Sequence, residues 1–201
     1  KAENTPCGGS FCYAGDTLRA SVAPVADELV ITEILANPSG SDGEKEFIEI
    51  YNAGSRSVDL NGLLLENRKD NNTDSFPMTA PADGACIPIA PGEYLIAAGS
   101  TDSDVNGHLP AVSAILNGSL WNSHSGSTSQ PLYAALVSGE TIIDLAPYAV
   151  PESGQAFRLT GDIRNATDND DPANWCHANR SGVYDDFGTP GSENPICGVL
   201  Y

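Results

Sequence analysis

The chain is short of basic side chains, of long apolar runs and of helical periodicity, and each shortage removes a class of protein. Nine Lys and Arg stand against 27 Asp and Glu, a formal net charge of −18. Nucleic-acid binding depends on Lys and Arg neutralising phosphates, so like charge excludes that partner over most of this surface. An anionic membrane surface is disfavoured for the same reason. No apolar run is long enough to span a bilayer, and no membrane insertion is expected. No window carries a sustained helical period with caps at both ends, so helix is expected to be scarce.

Chemistry-bearing motifs are also missing. No two of the five cysteines form a C-x-x-C pair, which excludes a zinc ribbon and a thioredoxin-type centre. Gly8 and Gly9 are followed by neither Lys nor a helix, so no loop cradles a phosphate. His124 lies among Ser123, Ser125 and Ser127, but without the strand–turn–helix elbow of a serine hydrolase. His108, His124 and His177 fall at no metal-ligand spacing.

What is present is apolar residues at alternating positions in short bursts. Residues 29–36, 47–52 and 58–66 each carry Ile, Val, Leu, Phe or Tyr at near-alternate positions, separated by Gly, Ser, Asn and Asp. Each is too short for a typical helix, and the pattern predicts consecutive antiparallel strands. Further strands are expected at 94–98, 112–116 and 155–160, and a hairpin at 132–137 and 141–145 around Ser138-Gly139-Glu140. Residues 17–25 read as one extended segment ended by Pro24, residues 67–85 as a long polar loop, and 161–194 as largely irregular with Trp175 and Phe187 as anchors. The expected architecture is all-β, an antiparallel β-sandwich with long irregular loops. The domain reading is an N-terminal extended arm, 1–27, holding Cys7 and Cys12, and a sandwich with a C-terminal tail over 28–201.

Cysteines scattered through a turn-rich chain fit disulfides in an oxidising compartment. With a first residue of Lys rather than Met, this predicts a secreted or cell-surface protein. Cys86 and Cys176 are expected to pair, pinning the irregular region to the sandwich. Cys7, Cys12 and Cys197 then hold one further pair, within or between chains, and one free thiol. Asn71, Asn117, Asn165 and Asn179 each begin an N-x-S/T sequon, which arises by chance in a chain this rich in Asn, Ser and Thr.

Two acidic groups are candidates for function. Asp168, Asp170 and Asp171, with Asn169, supply hard oxygen donors suited to calcium, though without the Gly and distal Glu of an EF-hand. Glu33 and Glu49, on adjacent expected strands, could face one side of the sheet and work as an acid–base pair. The plainer alternative has each accept hydrogen bonds from backbone or from Arg158.

The residues Leu29-Val30-Ile31-Thr32-Glu33-Ile34 with Asn37-Pro38, then Glu46-Phe47-Ile48-Glu49-Ile50-Tyr51-Asn52, then Val58-Asp59-Leu60-Asn61-Gly62, resemble the opening of lamin-tail domains, with a bacterial secreted branch the nearest. Pro91-Gly92-Glu93-Tyr94-Leu95 and the closing Gly188-Thr189-Pro190-Gly191-Ser192-Glu193-Asn194 fit the same family. The resemblance spans about 29–194. It departs at Leu63, where Trp often stands, and in a longer Ser-rich stretch over 102–130. It implies an immunoglobulin-like sandwich without a shared catalytic site, and acids kept at the positions of Glu33 and Glu49 in non-enzymes. Function expected from it is a non-catalytic extracellular structural or interaction module, possible as a self-assembling surface or filament subunit that uses its terminal segments on a protein partner. The alternatives are a calcium-dependent glycan- or protein-binding module and an accessory domain of a secreted hydrolase.

Overall fold

The computed structural model describes residues 11–14, 17–20, 22–40, 42–69, 71–123, 131–179 and 185–199, and of residues 11–20 only the Cys12 side chain. These hold fourteen strands: β1 (Phe11–Ala14), β2 (Thr17–Ala20), β3 (Leu29–Leu35), β4 (Phe47–Asn52), β5 (Val58–Asp59), β6 (Leu64–Lys69), β7 (Asn72–Thr79), β8 (Pro88–Ile89), β9 (Tyr94–Ala98), β10 (Val112–Leu116), β11 (Leu132–Ser138), β12 (Thr141–Tyr148), β13 (Phe157–Leu159) and β14 (Trp175–His177). Two single 3-10 turns, Asp168–Asp170 and Pro172–Asn174, precede β14.

Ten strands form one ribbon in the order β12-β11-β6-β7-β10-β9-β4-β3-β13-β14, with β1-β2 and β5-β8 as separate pairs. β7 belongs to both layers. Its body pairs with β6, and its last residues, Met78 and Thr79, pair with Leu116 and Ile115 of β10. The two layers close a core on their inner faces, where Ile31, Ile48 and Ile50 join the same buried cluster as Leu65, Leu136 and Tyr148. Alternation along each strand then sends the intervening residues to the opposite face. On β3, β4 and β9 that outer face is apolar too: Leu35, Phe47, Ile96 and Ala98 form a second buried cluster with Leu109, Ala156 and Ala178. A sandwich layer buried on both sides needs a cover, and the C-terminal segment supplies part of it.

β3 carries a bulge. Ile31 faces Ile50 and Glu33 faces Glu49, so Thr32 is the extra residue. The insertion explains why all seven residues of β3 are buried and why Ile31 and Ile34 point into the same core despite their odd spacing.

Several expectations need correction. The 67–85 stretch is no loop: β6 runs to Lys69 and β7 begins at Asn72, so the two form a hairpin arm. Residues 72–75 are exposed, and a strand wet on both faces leaves no apolar alternation to read. Residues 58–66 split at the Asn61-Gly62 turn into β5 and β6, Gly62 taking a positive φ. The extended segment expected over 17–25 is a strand over Thr17–Ala20, paired in a hairpin with Phe11–Ala14, while 22–25 are irregular. β9 and β10 run parallel because residues 99–111 cross back before β10 starts. Trp175 is a buried anchor, but Phe187 is exposed and contributes its backbone, with Phe187 N donating to Gly154 O.

Cys86 and Cys176 do not pair. Cys12 bonds Cys86, and Cys176 bonds Cys197. Cys86 lies in the loop before β8, beside β5 and the N-terminal hairpin, whereas Cys176 is on β14, the edge strand next to the closing segment. Cys7 lies outside the described residues.

Candidate functional site: a buried row under the closing segment

Strand register aligns one row across the outer face. Cys176 on β14 faces Arg158 on β13, Arg158 faces Glu33 on β3, Glu33 faces Glu49 on β4, and Glu49 faces Ile96 on β9. Directly opposed residues share a face, so five strands contribute to one line. Arg158, Glu33 and Glu49 are all buried.

The segment from 188 to 197 lies along this row and is fastened at each step. Thr189 N donates to both Glu33 oxygens, at 3.0 and 3.1 Å. Gly191 N donates to Glu49 Oε2 at 2.6 Å, and Thr32 Oγ1 donates to Glu49 Oε1 at 2.6 Å. Asn194 Nδ2 donates to Thr32 O at 2.9 Å, and its Oδ1 accepts from Thr189 Oγ1 at 2.6 Å. Cys197 then closes the line on Cys176. Glu193 ion-pairs with Arg164, whose guanidinium stands 5.9 Å from the Tyr51 ring centroid. At Gly161 the segment passes so close that a methyl group would run into the Asn194 carbonyl.

Burial holds the Glu33 carboxyl well above the usual carboxylate range, with repulsion from Glu49 adding to it and the Thr189 hydrogen bonds and the Arg158 charge opposing. Burial likewise raises Glu49 to about 7, against hydrogen bonds from Thr32, Gly191 and Ser192. Glu33 and Glu49 therefore come together as the sequence suggested. Their oxygens, however, are occupied by backbone and hydroxyl donors of the protein itself.

Two further buried acids were not legible as such. Glu46, raised by burial to about 8, accepts from Ser119 Oγ at 2.9 Å and Leu120 N at 2.8 Å. Asp144, raised by burial to about 7, accepts from Ile31 N at 2.7 Å and from Asn169 Nδ2, and so ties β12 to the bulge of β3. Each sits beside apolar residues (Glu46 before Phe47-Ile48, Asp144 between Ile143 and Leu145), and that is the signal that could have found them.

The calcium candidates diverge. Asp168 Oδ2 accepts from Asn165 Nδ2 at 2.9 Å, and Asp171 Oδ1 caps the next turn by accepting from Ala173 N at 2.9 Å. Asp170 is raised by burial and by repulsion from Asp27. Asn169 turns inward to Asp144. Among the described residues the one group of three potential metal donors lies elsewhere, at Cys12, Asp59 and Cys86, whose donor atoms are within 4.8 Å of one another. With the Cys12–Cys86 bond formed neither sulfur is a thiolate, so the group does not fit a metal in this state. His177 is half-buried against Phe157, and His108 is exposed with Nδ1 3.1 Å from Asp185 Oδ1. His124 lies outside the described residues.

The structure is an all-β immunoglobulin-like sandwich whose buried acids fasten its own loops. The lamin tail domain model matches residues 23–149, well over half of the chain, and the chain belongs to that family. The family is non-catalytic. No curated protein matches the sequence. The match ends before β13, β14 and the closing segment, so three of the four fasteners of Glu33 and Glu49 come from outside the matched part. Among the described residues no helix is long and apolar enough to cross a membrane.

Proposed function

We propose that the protein is a non-catalytic extracellular interaction module that binds a protein partner, or further copies of itself, through its N-terminal arm. The observation behind this is the use made of its acids. A general acid or base must reach a substrate proton, yet Glu33, Glu49, Glu46 and Asp144 all spend their oxygens on internal donors. The C-terminal segment is already committed to its own sheet through Cys197, so the reading rests on the N-terminal arm, which the Cys12–Cys86 bond ties to the sandwich. Two disulfides are compatible with an oxidising, extracellular setting.

The test is size-exclusion chromatography with light scattering on the full chain and on a protein lacking residues 1–26, the latter with Cys86→Ser so that no new thiol is exposed. Assembly that disappears with the arm supports the self-assembling reading, and monomers in both cases contradict it.

A calcium-dependent version draws on Asp170, whose carboxyl is raised first by burial and then by the nearby charge of Asp27, the second of which a cation would relieve. It predicts a calcium-dependent rise in Tm, reduced by Asp170→Ala. No rise with millimolar calcium would rule it out.

A further inference from the structure

The two disulfides stand in different surroundings. Asp59, 6% exposed, accepts backbone hydrogen bonds on Oδ1 from Asn61 N at 3.0 Å and Ile87 N at 2.9 Å. These fix the carboxylate and leave Oδ2 facing sulfur, 2.7 Å from Cys12 Sγ. A disulfide sulfur carries no proton, so while the bond is intact the carboxyl oxygen meets sulfur lone pairs and no donor inside the protein. On reduction the same contact becomes an S–H···O hydrogen bond, in which the weak thiol donor gains a fixed carboxyl acceptor. No described carboxylate oxygen sits within 4.8 Å of both Cys176 and Cys197 sulfurs. Cys12 is buried and Cys86 half-buried, so the two residues also differ in exposure.

We propose that Cys12–Cys86 is a thiol–disulfide exchange site that takes a dithiol as substrate, with Asp59 favouring the reduced form by holding the Cys12 thiol proton. A thiolate of the dithiol attacks Cys86 Sγ, on the more exposed of the two residues. A new S–S bond forms to Cys86 while the Cys12–Cys86 bond breaks, and its electron pair leaves on Cys12. Cys12 takes up a proton and donates it toward Asp59 Oδ2. The second thiol of the dithiol then attacks its partner in the mixed disulfide, releasing Cys86 as a thiol and the dithiol as a cyclic disulfide. Two electrons and two protons pass from the dithiol to the protein. The consequence is mechanical: β1, which carries Cys12, is uncoupled from the loop that carries Cys86.

The experiment uses the full chain with Cys7→Ser, so that the fifth cysteine cannot reshuffle. It is equilibrated across ratios of reduced to oxidised dithiothreitol, quenched with an alkylating mass tag and mapped by peptide. Cys12–Cys86 is expected to open at a ratio at least tenfold lower than Cys176–Cys197. Asp59→Asn keeps an oxygen for Asn61 and Ile87 but removes the carboxyl acceptor. It is expected to shift the Cys12–Cys86 midpoint at least tenfold toward the disulfide, about 30 mV, and to leave Cys176–Cys197 unmoved. Equal midpoints in the Cys7→Ser protein, or an Asp59→Asn variant of it that moves neither bond or both alike, would overturn the proposal. Should Asp59→Asn fail to fold, the order of opening in the Cys7→Ser protein decides alone.

Discussion

At the scale of single residues, buried acids work as hydrogen-bond acceptors inside the protein. Glu49→Gln keeps the shape and one acceptor oxygen for Gly191 N, and the amide can donate to the Thr32 hydroxyl once that hydroxyl turns. Glu49→Ala leaves Gly191 N and Thr32 Oγ1 buried without their acceptor. Losing such partners costs about 1–3 kcal/mol, so we expect Glu49→Ala to lower stability by about 2 kcal/mol in urea unfolding and Glu49→Gln by under half as much. Equal losses would mean that charge, and not hydrogen bonding, is what counts there.

The same acids set a pH dependence whose direction is fixed. Glu46 is raised to about 8, Glu49 and Asp144 to about 7, and Glu33 well above its ordinary value, from reference values of 4.5 for Glu and 3.8 for Asp. Between those reference values and about pH 8 the folded protein keeps protons that the unfolded chain has lost. Stability rises with pH only where the unfolded state binds more protons, and here the folded state does. The stability these groups give is therefore complete below about pH 4 and is lost as pH climbs through 7 to 8. Melting curves from pH 5 to pH 8.5 should show Tm falling, and Glu46→Gln should flatten the slope. A Tm that rises over that range would contradict these assignments.

At the scale of elements, the closing segment behaves as part of the fold. Leu35, Phe47 and Ile96 on the outer face are buried, and each fully buried large apolar side chain contributes about 1.5–3 kcal/mol. A fragment of residues 23–149, the extent of the family match, loses β13, β14 and this cover together. We expect it not to unfold cooperatively, whereas a fragment of 23–199 with Cys86→Ser should. A cooperative transition for the shorter fragment would show that the cover is dispensable.

Much of this level was legible beforehand. Short apolar bursts bounded by turn residues gave β3, β4, β9, β10 and the β11–β12 hairpin within a residue or a few of their ends, because each buries at least one apolar face. Where alternation fails the reading fails with it. Residues 72–75 of β7 are polar on both faces, and β14 is three residues long. The Glu33–Glu49 juxtaposition could be named as a possibility but needed the Thr32 bulge to fix its register, and an inserted residue leaves no mark in composition. The disulfide pairing was beyond the sequence for a related reason: which cysteines meet depends on where the closing segment lies across the sheet, not on spacing along the chain.

At the scale of the whole molecule, a net charge of −18 on 201 residues repels itself, and at about 0.15 M salt screening acts over about 8 Å. Moving from low salt to about 0.5 M sodium chloride should raise Tm, and at about 2–4 °C per kcal/mol for a chain of this size the shift is measurable. No change would mean that the acids are spaced widely enough not to interact.

The central claim is that a line of side chains across five strands, Cys176, Arg158, Glu33, Glu49 and Ile96, exists to hold the closing segment against the sandwich. Amide hydrogen exchange read residue by residue at Thr189 and Gly191 tests it most directly. The account predicts that both amides are protected in the wild type, and that in a Glu33→Ala, Glu49→Ala double variant they lose that protection while the amides of β4 and β11 keep theirs. Thr189 and Gly191 amides that exchange in the wild type as fast as in an unstructured peptide would contradict it.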